Sequence, residues 1–285
     1  MIQSKEPSPF TLPTPLPTLR RIGSTIAFHP IIDSTNSGAF DAAAAGAPDG
    51  AVIVADAQRA GRGRMGRAWT SPTGCNLYFS ILLRGPFLPS VVTGLPFLAA
   101  VATRDAVADV TGLTARFKWP NDLIINDRKV AGLLVEARSA GGHTILAVVG
   151  VGINVNWPRN AMPAELQATA TSLQSESART VDRPGLLAAM LGRFDRGYDR
   201  LCDEGAAWLI DDWSRSCLML GRTVRVETPE GPLTGLAEAV EPSGHLRLRH
   251  ADGSTTLLSI DATLHLRPVT DHDSHTGVRH HAVRD

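Results

Sequence analysis

Between residues 61 and 69 the chain reads Gly-Arg-Gly-Arg-Met-Gly-Arg-Ala-Trp, arginines threaded between glycines and closed by a tryptophan. The guanidinium groups of Arg62, Arg64 and Arg67 match phosphate or carboxylate oxygens two bonds at a time. Gly61, Gly63 and Gly66 let the backbone come close to a ligand. A loop built this way suits an anionic small molecule, a nucleotide with a carboxylate beside it. Taken alone, it suits equally a flexible Arg-Gly tail that binds RNA.

Two more segments carry chemistry. Lys118-Trp-Pro-Asn-Asp122 is followed by Arg128-Lys-Val-Ala-Gly132-Leu-Leu-Val-Glu136. Pro120 interrupts a strand and presents a polar corner at Asn121 and Asp122. A hairpin joining Asp122 to Lys129 brings an acid and a base to one edge of a sheet; an ordinary Asn-Asp turn with a surface lysine fits the same spacing. Gly150-Val-Gly-Ile-Asn154-Val-Asn156 sets glycines at a strand end with amides beyond, without the full dinucleotide fingerprint.

The elements that would position these residues are legible around them. Ala51–Ala55 reads as a buried strand before the Arg-Gly loop and Asn76–Leu83 as another after the turn Ser71-Pro-Thr-Gly74. Strands on both sides embed the loop in a core, which an RNA-binding tail lacks. A helix is expected over Ser37–Ala45, capped by Asp33 or Ser34 and stopped at Gly46. Further helices are expected over Leu95–Val110 and Arg183–Cys202, the latter capped by Asp182 with Leu187, Met190, Leu191, Phe194, Tyr198 and Leu201 at helical spacing. Strands are expected at Arg116–Trp119, Leu123–Asn126, Lys129–Arg138 and Thr144–Val149.

Beyond Gly221 the pattern changes to short strands at Thr223–Glu227, Leu246–Arg249 and Thr256–Ser259, separated by Gly-containing turns. That spacing predicts a small β-barrel. The expected organisation is therefore a Pro-rich extension over 1–24, a main domain over 25–219, a barrel over 220–270 and a tail over 271–285.

With 43% hydrophobic residues in 285 and a formal net charge of +0, the chain can bury a full core and has no basic excess for nucleic acid. Cys75, Cys202 and Cys217 are too widely spaced for a disulfide framework or a zinc site and read as reduced thiols. The prolines at 7, 9, 13, 15 and 17 come without a basic start or apolar core, so no secretory signal is expected, nor a membrane span, and the cytoplasm is the expected compartment. His272, His275, His280 and His281 in the tail have no element to fix them as metal ligands.

Together the segments are recognisable. Asp33-Ser-Thr-Asn36, Gln58 with Gly61–Trp69, Ser71-Pro-Thr-Gly-Cys-Asn-Leu-Tyr78, Lys118–Asp122, Arg128–Glu136, Gly150–Asn156 and Ala170-Thr-Ser-Leu173 make the chain resemble the biotin–protein ligases, from about Asp33 to Pro268. The resemblance implies an α+β fold: a mixed β-sheet with flanking helices, followed by an SH3-like β-barrel. It also implies a two-step reaction. Biotin's carboxylate attacks the α-phosphate of ATP to give biotinyl-adenylate and pyrophosphate; a lysine of a biotin carboxyl carrier domain then attacks the mixed anhydride and releases AMP.

Roles follow from the same resemblance. Lys129 would bridge biotin's carboxylate and the phosphate, and Arg62, Arg64 and Arg67 would offset repulsion between the two anions. Ser34, Thr35 and Gln58 would bond the ureido ring, although Ser34 and Thr35 also suit helix caps. Gly61 and Gly63 would approach biotin through the loop, and Trp69 and Gly132 would line the slot for its valeryl chain. Arg64, Arg67, Asn76, Lys118, Asn121, Ile153 and Asn154 would contact the nucleotide, and Trp213 would stack on adenine unless it is a core residue at a helix end. Asp122 would orient or deprotonate the acceptor lysine. Mg²⁺ is expected on the phosphates, with no ligands identified. The loop itself, glycine-rich and self-repelling, is expected to be mobile when empty.

Some relatives carry a winged helix-turn-helix before the catalytic domain and act as repressors. The segment before Asp33 is too short for one, so the monofunctional type is expected, with no DNA as partner and either a monomer or a homodimer. Cys75 stands where relatives often have a small residue, open to oxidation or serving as filler. A lipoate–protein ligase shares the fold and chemistry but not the complete arginine loop and barrel. A non-catalytic biotin sensor would not need Lys129 and the arginines together.

Overall fold

The computed structural model describes residues 19–260, 263 and 265–269 of the chain. The proline-rich extension through residue 18 and the histidine-containing tail lie outside them. The chain divides into two compact units, one ending at Leu218 and the other beginning at Met219.

The first unit is built on a seven-stranded sheet in the order β1-β2-β3-β7-β6-β5-β4. Its strands are β1 (Ile26–Ile32), β2 (Val52–Gln58), β3 (Leu77–Phe87), β4 (Arg116–Lys118), β5 (Asp122–Ile125), β6 (Arg128–Ala140) and β7 (His143–Ile153). All neighbours are antiparallel except β1 and β2. The helices are α1 (Thr35–Ala44), α2 (Pro89–Thr111), the short α3 (Ala164–Gln167) and α4 (Leu173–Ser177), α5 (Arg183–Glu204) and α6 (Ala207–Arg215).

Side chains alternate across a strand, so each strand offers a different set to each face. Phe79 and Ile81 of β3 and Val151 of β7 meet Ala99 and Ala102 of α2 and Met190 and Phe194 of α5. On the other face, Leu82 of β3 and Leu146 and Val148 of β7 pack with Ala39, Phe40 and Ala43 of α1. Helix α1 covers only part of that second face. Beyond it, the residues turned the same way are Ser80, Gly150, Gly152 and Gly132.

Several expectations need correction. Helix α2 starts at Pro89, and Pro96 inside it hid the first turns. With 23 residues it is long and apolar enough to cross a bilayer, contrary to the expectation of no such stretch, but 67% of its most apolar window is buried in the fold. Strand β1 was missed because Pro30 interrupts a short edge strand. Helix α6 was also missed, and β6 and β7 each run further than expected.

The N-terminal part of the described chain is held by α5. Asp195, 2% exposed, accepts hydrogen bonds from the backbone N–H groups of Arg20 (2.7 Å), Arg21 (3.0 Å) and Ile22 (2.8 Å). Helix α5 starts as the sequence predicts, with Asp182 accepting from the Gly185 N–H at 3.1 Å.

The second unit is a five-stranded antiparallel sheet in the order β11-β10-β9-β8-β12. It comprises β8 (Thr223–Thr228), β9 (Gly231–Val240), β10 (Leu246–Arg249), β11 (Thr255–Leu258) and β12 (His265–Pro268). Val224, Val226, Ala237, Leu246, Leu248 and Leu266 form its core. The predicted barrel is thus a strongly bonded sheet whose ladder stays open among the described residues. Strand β9 escaped prediction because Gly231-Pro232 opens it and Gly, Ala and Glu are poor strand formers.

Candidate active site

The register of the sheet lines up five of the residues singled out by sequence. Lys118 on β4 faces Asp122 on β5, Asp122 faces Gly132 on β6, and Gly132 faces Gly152 on β7. The row ends at Tyr78 on β3, opposite Gly152. Its middle is bare backbone, which leaves a shallow floor in the sheet.

Trp69 lies on that floor. A β-carbon built on Gly152 would sit 2.6 Å from Trp69 Nε1, and one on Gly132 would sit 2.9 Å from Trp69 Cζ3. Both distances are below any that real side chains adopt, so only glycine at 132 and 152 admits the indole. The Trp69 Nε1 donor is buried without a hydrogen-bond partner. An unmet donor beside a bare strip of sheet is a feature that a polar ligand group would resolve.

The charged end of the row is compact. Lys129 Nζ lies 2.6 Å from Asp122 Oδ1 and 5.1 Å from the centroid of the Trp69 ring, within range of a cation–π attraction. The hairpin expected between Asp122 and Lys129 is therefore present, and it does bring acid and base together. Burial pulls the Lys118 ammonium below the usual lysine value; Asp122 opposes the shift and the Lys129 charge adds to it. Two lysines facing one carboxylate leave this end of the floor cationic, as an anionic reactant requires.

At the other end, the start of α1 meets the end of β2. Ser34 sits at the N-cap position but makes no capping bond through its side chain. Gln58 does that work instead, its Oε1 accepting the Thr35 N–H at 2.9 Å and standing 3.3 Å from Thr35 Oγ1. Gln58 Nε2 donates to Ser71 Oγ at 3.0 Å, and Ser71 Oγ donates to the Trp69 carbonyl at 2.9 Å. Gly61 is wedged among these groups: a β-carbon there would meet the Trp69 carbonyl oxygen at 2.5 Å and Ser71 Oγ at 2.7 Å. Thr35, Gln58, Gly61 and Ser71 thus form one cluster, with Ser34 beside Thr35 at the N-cap.

The arginine loop is a small folded hairpin between β2 and β3. Arg62 and Ala68 form an antiparallel bridge, the Gly63 N–H donates to the Arg67 carbonyl at 2.7 Å, and the Trp69 N–H donates to the Gly61 carbonyl at 2.8 Å. Its tip is a single 3₁₀ turn over Arg64–Gly66, with Gly66 at φ 71. Arg62 reaches the sheet, Nη2 donating to Glu136 Oε2 at 3.0 Å and to Ser37 Oγ at 3.3 Å.

Glu136, Asn36 and Ser80 were not assigned roles from sequence. Asn36 Nδ2 donates to Glu136 Oε2 at 2.7 Å, and Ser80 Oγ stands 2.6 Å from Asn36 Oδ1 and 2.8 Å from Thr35 Oγ1. This partly buried network joins the arginine loop to the cluster around Thr35 and Gln58. The available signals were a serine inside the apolar strand Leu77–Leu83 and an asparagine in an alanine-rich helix.

Other predicted residues are committed elsewhere. Trp213, 2% exposed, stacks on Phe117 with ring centroids 5.4 Å apart and meets Phe97 edge-on at 5.5 Å. It is a core residue in this structure, not an open platform for adenine. Asn76, 0% exposed, uses Oδ1 to accept the Val155 N–H at 2.9 Å. Asn154 Nδ2 donates to the Thr171 carbonyl at 3.0 Å, Asn121 Nδ2 donates to the Leu133 carbonyl at 2.6 Å, and the Ile153 side chain is buried. These amides shape the strand ends that border the floor, each spending one polar atom on backbone. Cys75 packs as filler against Trp157, Met162 and Ala170, and burial pushes its thiol up to about 11, away from the reactive thiolate.

Comparisons with known proteins point to one family. A model of the biotin/lipoate A/B protein ligase family matches residues 28–154, and one of the biotin protein ligase C-terminal domain matches 219–262. The bifunctional ligase/repressor BirA of Bacillus subtilis is 34% identical over 244 residues, 85% of this chain and 75% of that protein. The biotin–[acetyl-CoA-carboxylase] ligase of Paracoccus denitrificans is 34% identical over 224 residues, 78% of this chain and 92% of that one. The biotin protein ligase of Aquifex aeolicus, solved in complex with biotin and ATP, superposes with a TM-score of 0.73 at 27% identity, covering 86% of this chain and all 100% of that one.

Proposed function

The chain belongs to the biotin–protein ligases, and from that premise we infer that it activates biotin with ATP and transfers it to a lysine of a biotin carrier domain of a carboxylase. One oxygen of biotin's carboxylate forms a bond to the α-phosphorus while the bond to the bridging oxygen of pyrophosphate breaks. The acceptor amine, once deprotonated, attacks the acyl carbon of the resulting anhydride and AMP leaves with the bonding electrons.

The glycine floor under Trp69 with Lys129 at its charged end supports this assignment most directly. Biotin's valeryl chain would lie on Gly132 and Gly152 against the indole, with its carboxylate at Lys129. The ureido ring would fall at Ser34, Thr35 and Gln58, which offer the matched donors and acceptors a neutral cyclic urea needs. Lys118, Arg64 and Arg67 would face the phosphates, and Gly61 and Gly63 would let the loop close on the substrate. Arg62 would act through Glu136, holding the loop to the sheet. Asp122 would release Lys129 to the anions and receive the proton of the acceptor lysine.

Mg²⁺ would come with the nucleotide. Among the described residues no group of three or more His, Cys, Asp or Glu is placed to hold a metal, so in this reading the phosphates would carry the ion. Cys75, Cys202 and Cys217 are all free thiols, which suits the reducing cytoplasm in which we place the enzyme. Its near-neutral charge gives no electrostatic drive toward DNA. Either a monomer or a homodimer would present the site.

ATP–pyrophosphate exchange with added biotin or lipoate, on the wild type and on Lys129→Ala, tests the reading. Exchange stimulated by biotin alone and lost in the variant is the expected result. Stimulation by lipoate alone would reassign the substrate, and tight biotin binding without exchange would make the protein a sensor.

A further inference from the structure

Lys129 is placed by an irregularity. Strands β5 and β6 pair in register at Asp122–Gly132 and Leu123–Ala131, but the next pair is Ile124–Lys129, so Val130 is an extra residue bulged out of the ladder. Strand β6 also leaves β7 here, since their pairing begins at Ala131–Ile153. The lysine thus sits where its strand has lost one neighbour and slipped against the other.

A separate segment takes over. The Lys129 N–H donates to the Thr169 carbonyl at 2.8 Å, and the Lys129 carbonyl accepts the Thr171 N–H at 2.9 Å, a parallel bridge with Ala170 between. The same segment then accounts for the end of β7, with Leu173 N–H donating to the Asn154 carbonyl at 3.0 Å and Gln174 N–H to the Val155 carbonyl at 2.8 Å. One short stretch of chain therefore sets the lysine's backbone relative to the strand that carries Gly152.

Glu176 of α4 ties that stretch to the β5–β6 turn. Its side chain is 4% exposed. Oε1 accepts from Thr171 Oγ1 and from Arg128 Nη2, the latter at 2.7 Å, and Oε2 accepts from Asn126 Nδ2 at 2.6 Å. Asn126 and Asp127 form the turn with positive φ of 47 and 61, and Arg128 immediately precedes the lysine. Two of the donors, Asn126 and Arg128, are thus within three residues of Lys129, and the third, Thr171, belongs to the backbone that grips it.

We propose that Glu176 is a positioning residue for Lys129, clamping the Thr169–Thr171 segment to the β5–β6 turn so that the ammonium is held over Gly132. The proposal rests on reading this floor as the biotin-activating centre. It needs a carboxylate: three donors converge on two oxygens, and an amide would turn a donor of its own toward Asn126 or Arg128. A displacement of about 1 Å in a group that must meet two anions is worth about a hundredfold in rate.

The test compares wild type, Glu176→Ala, Glu176→Gln and Glu176→Asp. Biotin-dependent ATP–pyrophosphate exchange is expected to fall by about tenfold to a hundredfold in kcat for the alanine variant. The glutamine variant, which keeps the shape, falls less, and aspartate restores part of the loss. Lys129 acetylation by a brief pulse of acetic anhydride, quantified by mass spectrometry, reads the lysine without turnover. It is expected to rise severalfold in Glu176→Ala and Glu176→Gln, with labelling of Lys118 unchanged as the control for general unfolding. Exchange that falls while Lys129 labelling stays at the wild-type rate overturns the proposal, and so does wild-type exchange in all variants. If the wild type shows no biotin-dependent exchange, the activity reading fails, and the labelling still decides whether Glu176 holds the lysine.

Discussion

Gly132 on β6 and Gly152 on β7 stand directly opposite one another, and the indole of Trp69 lies against both. Cross-strand pairs elsewhere in a sheet gain stability from touching side chains. Here that contact is given up, and an aromatic ring from a distant loop takes the place of two β-carbons.

Gly152→Ala should therefore displace the indole. Overpacking of this kind costs about 1–3 kcal/mol, and the misplaced wall should raise KM for biotin by about tenfold or more. Thermal unfolding and initial rates against biotin concentration measure the two effects. Unchanged KM would mean that the ring does not border the substrate.

Trp213 makes the opposite kind of prediction. Because it stacks on Phe117 inside the core, Trp213→Ala should lower stability by about 3–5 kcal/mol and leave KM for ATP close to that of the wild type. The reverse pattern, intact stability with weakened ATP use, would return Trp213 to the adenine.

Limited proteolysis addresses the arginine loop. Cleavage near Arg62–Arg67 is expected in the free protein and should be suppressed by biotin. Arg62 and Glu136 are 43% and 30% exposed, so their pair should contribute about 1 kcal/mol at most. Glu136→Gln should accordingly speed cleavage of the free protein only a few-fold. Equal cutting with and without biotin would sever the link between closure and binding.

Glu176 also predicts a pH dependence. Burial alone would raise its pKa, but hydrogen bonds from Thr171, Arg128 and Asn126 prevail and hold it below the ordinary value of 4.5. The unfolded chain then takes up this proton first as pH falls, so the folded state loses stability from 4.5 downward until the lowered value is passed. Denaturant titrations at neutral and acid pH should show a shallower acid loss in Glu176→Gln than in the wild type. Identical slopes would remove Glu176 from the acid response.

The sequence made the charged end of the site readable because its parts are local. Asp122 and Lys129 flank one hairpin, and spacing alone brings them together. The Gly61–Trp69 loop was likewise legible between two apolar strands. What stayed hidden depends on pairing between distant strands. That Gly152 faces Gly132 follows only from the β6–β7 register, and that Glu136 meets Arg62 requires the loop to fold back on β6. Nor does a helical pattern say what covers it: the burial of Trp213 is decided by Phe117, nearly a hundred residues away in the chain, and Asn76 and Asn154 looked available only because their backbone partners were out of sight.

Asp195 has a consequence for the layout of the first unit. Three successive amides converge on one buried carboxylate of α5, on the side of the sheet away from the glycine floor. The backbone at Arg20–Ile22 is thus moored at the back of the catalytic unit. The described chain therefore enters this unit on the face opposite Trp69 and Lys129, and the glycine floor is left to the arginine loop.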